Sequence, residues 1–172
     1  MCLKQKDKES DTFNSENVKE NNEDWHDKTA SSYDKMHSEV WNFFEQRRLS
    51  RDVKRLTELS PGQEIVDIGA GTGNLVMKFL DHGFNIHAVD ISQKMLDVLK
   101  EKTNGKYEEN ITYHCSEAHD FLDELKRADI ICFSSVLHHL PNYKKVLEKA
   151  INSLNEDGLI YIAHEPLSAK EP

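Results

Sequence analysis

The chain has 172 residues, with 22 basic against 31 acidic side chains and a formal net charge of −9 at neutral pH. A chain of this length is expected to form one domain and is long enough to bury a hydrophobic core. The acidic excess argues against nucleic acid as the main partner, because phosphate backbones are bound by clustered Lys and Arg. No stretch approaches the roughly 20 apolar residues of a membrane span, so no membrane partner is predicted.

The amino terminus and the cysteines predict a cytoplasmic protein. The segment Met1 to Lys8 lacks the apolar run that a signal peptide needs. Cys2, Cys115 and Cys132 are widely spaced and form neither a disulfide framework nor a Cys-x-x-Cys metal pair. Such cysteine usage is typical of a reducing compartment. Cys115 and Cys132 fall in predicted strands, and we expect both to be buried.

Two regions precede the core of the chain. Residues 1–24 are almost entirely polar, which predicts a flexible tail because such a composition cannot offset the entropy lost on ordering. Residues 25–172 are predicted to form the folded domain. Its first part, residues 26–59, contains a predicted short helix over 26–37 and an amphipathic helix over 39–59.

The core, residues 63–166, alternates apolar strands with helices. This alternation predicts a doubly wound α/β domain with a mostly parallel sheet and right-handed crossovers. The predicted strands are residues 64–69, 85–90, 111–115, 128–135 and 159–165. The predicted helices are residues 74–81, 92–102, 117–126 and 143–154.

The most informative stretch is the glycine loop Asp67–Gly73, which follows the first strand and opens a helix. Glycine lets the main chain turn sharply and lets a ligand approach it closely, and the N-terminus of the following helix favours an anionic group. The dinucleotide fingerprint G-x-G-x-x-G would require glycine at Asn74, whereas the third glycine is Gly73. This spacing argues against a nicotinamide-dependent oxidoreductase. A tight turn without any ligand is the alternative.

With its D-x-G-x-G-x-G motif after a strand, the chain resembles the class I S-adenosylmethionine-dependent methyltransferases over about residues 25–165. The resemblance implies a Rossmann-like sheet with the strand order 3-2-1-4-5, N-terminal lid helices, and S-adenosylmethionine as the cofactor. It also implies that the glycine loop binds the amino-acid end of the cofactor. The loop residues concerned are Asp67, Gly69, Ala70, Gly71 and Gly73.

The resemblance assigns adenosine contacts to residues after the second and third strands. Asp90 would accept hydrogen bonds from both ribose hydroxyls, and Ile91 would lie against the adenine ring. A helix cap is the alternative role for Asp90. Glu117, followed by Ala118, resembles the acidic residue that contacts the adenine amino group, although glutamate is one methylene longer than the family's aspartate.

Two further segments match the family. The fourth strand ends at Phe133 and Ser134, whose main-chain carbonyls would bind the amino group of the cofactor. Tyr33, followed by Asp34, is similar to a tyrosine of the family's lid helix and would face the carboxylate of the cofactor. A tyrosine on an amphipathic helix also fits plain packing.

Methyl transfer from a sulfonium depends on positioning and desolvation, because the methyl group is already activated. A general base helps only where the acceptor must lose a proton. His138 and His139 are the candidates, since imidazole titrates near neutrality; packing or capping is the alternative. The remaining histidines lack ligand spacing, so no metal is predicted.

The chain departs from the family after the fifth strand. The family's sheet has seven strands, and the last two, which carry part of the acceptor pocket, are expected to be missing here. The fifth strand would then be an unpaired apolar edge, which favours self-association or a partner chain. A fragment of a longer protein, an edge paired with another chain, and cofactor binding without turnover all fit this departure.

The leading hypothesis is methyl transfer from S-adenosylmethionine to a small-molecule acceptor. The alternative is a truncated cofactor-binding or partner-binding module with little or no catalysis. The sequence does not identify the acceptor.

Overall fold

The computed structural model describes residues 26–36 and 42–165. Its strands form one parallel sheet in the order β3-β2-β1-β4-β5. The strands are β1 Glu64–Ile68, β2 Asn85–Asp90, β3 Ile111–Cys115, β4 Ala128–Ser134 and β5 Leu154–Ala163. This sheet confirms the predicted doubly wound, Rossmann-like fold and its strand order. The predicted tail over residues 1–24 lies outside the described residues.

One long helix precedes the sheet, and the other four follow strands as the alternating pattern predicts. They are α1 Phe43–Leu59, α2 Asn74–Leu80, α3 Gln93–Thr103, α4 Ala118–Glu124 and α5 Tyr143–Asn152. Ahead of them, the N-terminal segment, residues 26–36, is a run of helical turns that includes the 3-10 turn Ala30–Ser32 and the helical turn Tyr33–Met36. A second 3-10 turn, Leu137–His139, follows β4.

Capping residues set the starts of two helices. The Asn42 side chain accepts hydrogen bonds from the main-chain N–H groups of Phe44 and Glu45, which begins α1. Ser92 Oγ accepts from the N–H of Met95 at 3.2 Å, which begins α3. Such caps satisfy N–H groups that have no partner within the helix.

The last strand begins earlier than predicted. We expected a helix through residue 154 and a strand from residue 159, but α5 ends at Asn152 and Leu154 already pairs with Ala128. The next pair joins Leu159 to Ile130, so the four residues between Leu154 and Leu159 oppose a single residue of β4. Residues 155–158 therefore form a bulge inside β5.

Alternating side chains divide the core between the two faces of the sheet. Ile65 of β1 belongs to a cluster with α1, α2 and α3, in which Phe79 is fully buried. Val66 belongs to a second cluster with α4 and α5, in which Phe133 is fully buried. Cys132 is buried as expected, but the expectation for Cys115 is wrong, because that residue ends the edge strand β3 and is exposed.

The topology decides where a ligand would bind. The chain leaves β1 for α2 on one face of the sheet and leaves β4 for α5 on the other face. The carboxyl ends of β1 and β4 therefore flank a crevice at the switch point of the sheet, where open α/β sheets bind ligands. Within the described residues, no helix combines the length and apolar character that crossing a bilayer requires.

We expect Phe79→Ala to lower the free energy of unfolding by about 3–5 kcal/mol, because it leaves a cavity in the core beneath α2. The matched control is Phe44→Ala, whose side chain is 79% exposed, and it should change stability by less than about 0.5 kcal/mol. Urea unfolding followed by circular dichroism measures both. Equal losses in the two variants would contradict the assigned core.

Candidate functional site

A pocket lies at the carboxyl ends of β1, β2 and β4, beneath the N-terminal segment. Its wall combines the last residues of these strands, the loops that follow them, residues after β3 and two residues of the N-terminal segment, so residues distant in sequence meet there. The predicted site residues that line it are Tyr33, Gly69, Gly71, Asp90, Ile91, Ala118, Ser134 and His139. The structure therefore brings eight of the predicted site residues together around one pocket.

The three positions of the loop require glycine for different structural reasons. All three adopt a positive φ. A Cβ on Gly69 would lie 2.4 Å from Val136, and a Cβ on Gly73 would lie 2.2 Å from Leu99, so both glycines permit close packing. A Cβ on Gly71 would meet no atom within 4 Å, and Gly71 lines the pocket. Gly71 is thus the position where the main chain stays bare towards the pocket.

The Asp90 carboxylate joins the loop after β1 to the loop after β2. Its Oδ2 accepts a hydrogen bond from the N–H of Gly71 at 2.8 Å, and its Oδ1 accepts from the N–H of Ser92 at 2.9 Å. Burial raises the pKa of Asp90, while the hydrogen bonds from Ser92 and Gly71 favour its charged form. Asp90 also lines the pocket, and the residue that caps α3 is Ser92, so the alternative role of Asp90 as the helix cap is not the one it has here.

Asp67 lies behind the loop rather than in the pocket wall. Its side chain is 2% exposed, and Oδ1 is buried without a hydrogen-bond partner among the described residues. Burial, with a smaller contribution from the nearby Asp90 charge, raises the pKa of Asp67 to about 8. A neutral carboxylic acid is therefore favoured there at pH 7 in the absence of a cationic partner.

Other predicted cofactor residues also lie outside the wall itself. The Phe133 side chain is fully buried in the core, Ala70 is buried, and Gly73 packs beneath Leu99. Glu117 stands between two wall residues, Ser116 and Ala118, at the start of α4. Their assignment as cofactor residues stays a prediction.

Two carboxylates fasten the N-terminal segment over the pocket. Asp34 Oδ1 accepts a hydrogen bond from Thr72 Oγ1 at 2.5 Å, and its Oδ2 lies 2.6 Å from Lys102 Nζ. Asp27 accepts from Ser92 Oγ at 2.6 Å, and this bond lowers the pKa of Asp27. Thr72 belongs to the glycine loop and Ser92 follows β2, so the segment is tied to both loops beneath it.

The two candidate bases occupy different positions. His138 Nδ1 lies 2.8 Å from Glu165, which also accepts main-chain N–H bonds from residues 136–138. His139 lines the pocket, 6.0 Å from the His26 ring. Burial lowers the pKa of His139, and the adjacent His138 and His26 lower it further. His139 is thus favoured as a neutral imidazole in the pocket wall, whereas His138 is outside the wall.

His26 and Glu165 were missed by the sequence reasoning. His26 lines the pocket and lies 6.1 Å from the Tyr33 ring. His26 precedes Tyr33 by seven residues, a spacing that brings two side chains to one side of a helix. This spacing could have indicated that His26 lies beside Tyr33. Nothing local marks Glu165, because its partners follow a different strand.

A family model described as a methyltransferase domain matches residues 41–169. The chain belongs to this family. The match covers the glycine loop and every strand of the sheet, so it confirms the family that the resemblance indicated.

Among curated proteins, the chain is 25% identical over 111 residues to phosphoethanolamine N-methyltransferase 2 of Caenorhabditis elegans, covering 64% of this chain and 25% of that protein. It is 26% identical over 102 residues to the ubiquinone biosynthesis O-methyltransferase of Coxiella burnetii, covering 59% of this chain and 43% of that protein. The chain therefore spans less than half the length of either relative.

Among solved structures, the fold is similar to magnesium protoporphyrin IX methyltransferase from Synechocystis PCC 6803 with bound S-adenosylmethionine. The TM-score is 0.62 at 19% identity, and the match covers 80% of this chain and 72% of the other. At this identity the comparison supports the fold. Within residues 26–36 and 42–165, no three His, Cys, Asp or Glu side chains are arranged to hold a metal ion.

We expect Asp67→Asn to remove part of the pH dependence of stability. Because the folded-state pKa of Asp67 is raised to about 8, the folded state binds more protons than the unfolded state between about pH 4 and 8. The contribution of Asp67 is therefore full at low pH and declines as pH rises through about 8, with a slope of at most about 1.4 kcal/mol per pH unit. Urea unfolding of the wild type and the variant from pH 5 to 8.5 measures it.

The exposed Glu109→Gln is the matched control and should run parallel to the wild type over the same pH range. A wild-type minus Asp67→Asn difference that is constant with pH would mean that Asp67 ionises normally in the folded chain.

Proposed function

We propose that this chain binds S-adenosylmethionine in the pocket and transfers its methyl group to a small-molecule acceptor. The observation that carries the proposal is the bare main chain at Gly71, held beside the buried carboxylate of Asp90 at the switch point of the sheet. When bound, the cofactor supplies a methyl group that is already activated on a sulfonium sulfur. The chain's task is then to bind, orient and exclude water.

The polar groups of the pocket fit the adenosine part of the cofactor. Asp90 has a fixed orientation because two N–H groups hold it, and each carboxylate oxygen accepts more than one hydrogen bond. We assign it to the ribose hydroxyls. Ile91 would then pack against adenine, and Glu117 would accept from the adenine amino group.

The amino-acid end of the cofactor fits the loop side of the pocket. Its ammonium group offers the positive charge that a buried, unpartnered Asp67 carboxyl lacks, and a cation nearby would favour the ionised form. We assign the main-chain carbonyls of Phe133 and Ser134 to the same ammonium group. Tyr33, in the wall formed by the fastened N-terminal segment, would face the carboxylate.

His139 is the better candidate for a base, because it lines the pocket and burial favours its neutral form. A neutral imidazole takes a proton from an acceptor hydroxyl or amine as that group is methylated. His138, hydrogen-bonded to Glu165, is assigned to holding the turn after β4.

Two further parts of the proposal concern location and partners. The cysteine pattern supports a cytoplasmic location. The outer edge of β5 has no pairing strand among the described residues, which supports self-association or a partner chain at this edge. Sedimentation equilibrium of the chain over a concentration series measures the association.

Isothermal titration with S-adenosylhomocysteine and with NAD, followed by a methyl-transfer assay over phenol, amine and phosphobase acceptors, tests the function. We expect binding of the first ligand only, and turnover of at least one acceptor. Binding without turnover of any acceptor would favour the alternative of a cofactor-binding module. Preference for NAD would overturn the proposal.

We expect Gly71→Ala to weaken S-adenosylhomocysteine binding by about tenfold or more, because the added methyl group fills space at the bare main chain. Gly83→Ala is a matched control: Gly83 also has a positive φ and open space at its Cβ, but it lies at the end of α2, outside the pocket wall. Both variants should lose about 1–2 kcal/mol of stability from the backbone conformation. Equal affinities in the two variants would remove Gly71 from the binding site.

A further inference from the structure

The outer surface of α1 is basic in a chain whose net charge is −9. Four of the five arginines of the whole sequence lie in this one helix. The basic side chains on its exposed side are Arg47, Arg48, Arg51, Lys54 and Arg55. The one acidic residue that α1 exposes is Glu58, while Glu45 and Asp52 are half-buried on its flanks. The surface is therefore a positive stripe on an otherwise acidic protein.

Much of this charge is uncompensated within the fold. Arg48 lies 3.6 Å from Glu45, and Lys54 lies 3.9 Å from Glu58. Among residues 26–36 and 42–165, no ion pair involves Arg47, Arg51 or Arg55. Three guanidinium groups thus point to solvent along successive turns of one helix.

The same helix begins with an exposed aromatic pair. Phe43 is 70% exposed and Phe44 is 79% exposed, and their rings meet edge to face with centroids 5.8 Å apart. They are the two most exposed large apolar side chains in the described part of the chain. Aromatic residues next to a basic helical surface are the pattern of a helix that lies in a membrane interface.

This aromatic end lies at the same edge of the sheet as the pocket. The Gln46 side chain donates to Asn74, the first residue of α2 after the glycine loop, at 2.7 Å. Glu45 lies 3.3 Å from His164, which directly follows β5. Contact of Phe43 and Phe44 with a surface would therefore bring the carboxyl edge of the sheet close to that surface.

We propose that α1 docks the protein peripherally on an anionic lipid surface, with Phe43 and Phe44 entering the interface and Arg47, Arg51 and Arg55 contacting the headgroups. Charge complementarity favours this occupant, because an anionic leaflet attracts clustered basic residues. The aromatic pair favours lipid over double-stranded nucleic acid, because a duplex presents its phosphate backbones outward and keeps its bases stacked inside. The prediction of no membrane partner considered only segments that could span a membrane, and it is revised here for peripheral contact.

Flotation of the full chain with vesicles, without cofactor, tests this proposal separately from methyl transfer. We expect binding to vesicles of 70% phosphatidylcholine and 30% phosphatidylglycerol and little binding to pure phosphatidylcholine. The double variant Arg47→Gln/Arg51→Gln should bind about 10- to 30-fold more weakly, since each basic residue near such a surface contributes about fivefold. Phe43→Ser/Phe44→Ser should bind at least about tenfold more weakly, because it removes the apolar contact.

The matched control is Lys144→Gln/Lys145→Gln, which removes two exposed charges from α5 on the other face of the sheet. It should retain wild-type vesicle binding, and all variants should keep the wild-type circular dichroism spectrum. Equal binding to neutral and anionic vesicles, or equal losses in the α1 and α5 variants, would overturn the proposal. Tighter binding to a single-stranded RNA oligonucleotide than to anionic vesicles would overturn it as well.

Discussion

The bond between the Asp90 carboxylate and the Gly71 main chain is the constraint on which the pocket depends. It joins the loop after β1 to the loop after β2, and the second oxygen of the same carboxylate holds the turn that starts α3. A carboxylate is needed because it accepts several N–H donors at once in a buried place. Burial raises the pKa of Asp90, and the hydrogen bonds from Ser92 and Gly71 oppose that rise.

The sheet and the crevice followed from local signals in the sequence. Apolar strands that alternate with amphipathic helices predict a parallel sheet. In such a sheet the strand ends that carry Asp67, Asp90 and Ser134 lie near one edge, whatever the conformation of the loops. The glycine loop lies at that edge, and Gly69 and Gly71 line the pocket. These inferences succeed because each depends on residues adjacent in the chain, or on a topology rule that needs no side-chain detail.

The features that the sequence did not predict depend on contacts between residues that are distant in the chain. Asp34 meets Lys102 across 68 positions, and Glu165 holds the turn around His138 from the far end of β5. The motif predicts that Asp67 binds the cofactor, but it does not reveal that this residue is only 2% exposed and that its Oδ1 has no hydrogen-bond partner among the described residues. A motif gives the order of residues, whereas burial and partners depend on which strands become neighbours.

The net charge of the chain does not show how unevenly its charged residues are distributed. Asp27 and Asp34 use basic partners on α3 to hold the N-terminal segment down, so charges around the pocket are largely paired within the fold. The arginines of α1 have a different environment, because their face of the helix turns away from Leu49 and Val53 and towards solvent. A net charge of −9 excludes a uniformly basic surface, but it does not exclude one basic helix. The charge of a local surface, rather than the net charge of the chain, decides which partners that surface contacts. Here the aromatic end of the basic helix α1 and the pocket lie at the same edge of the sheet.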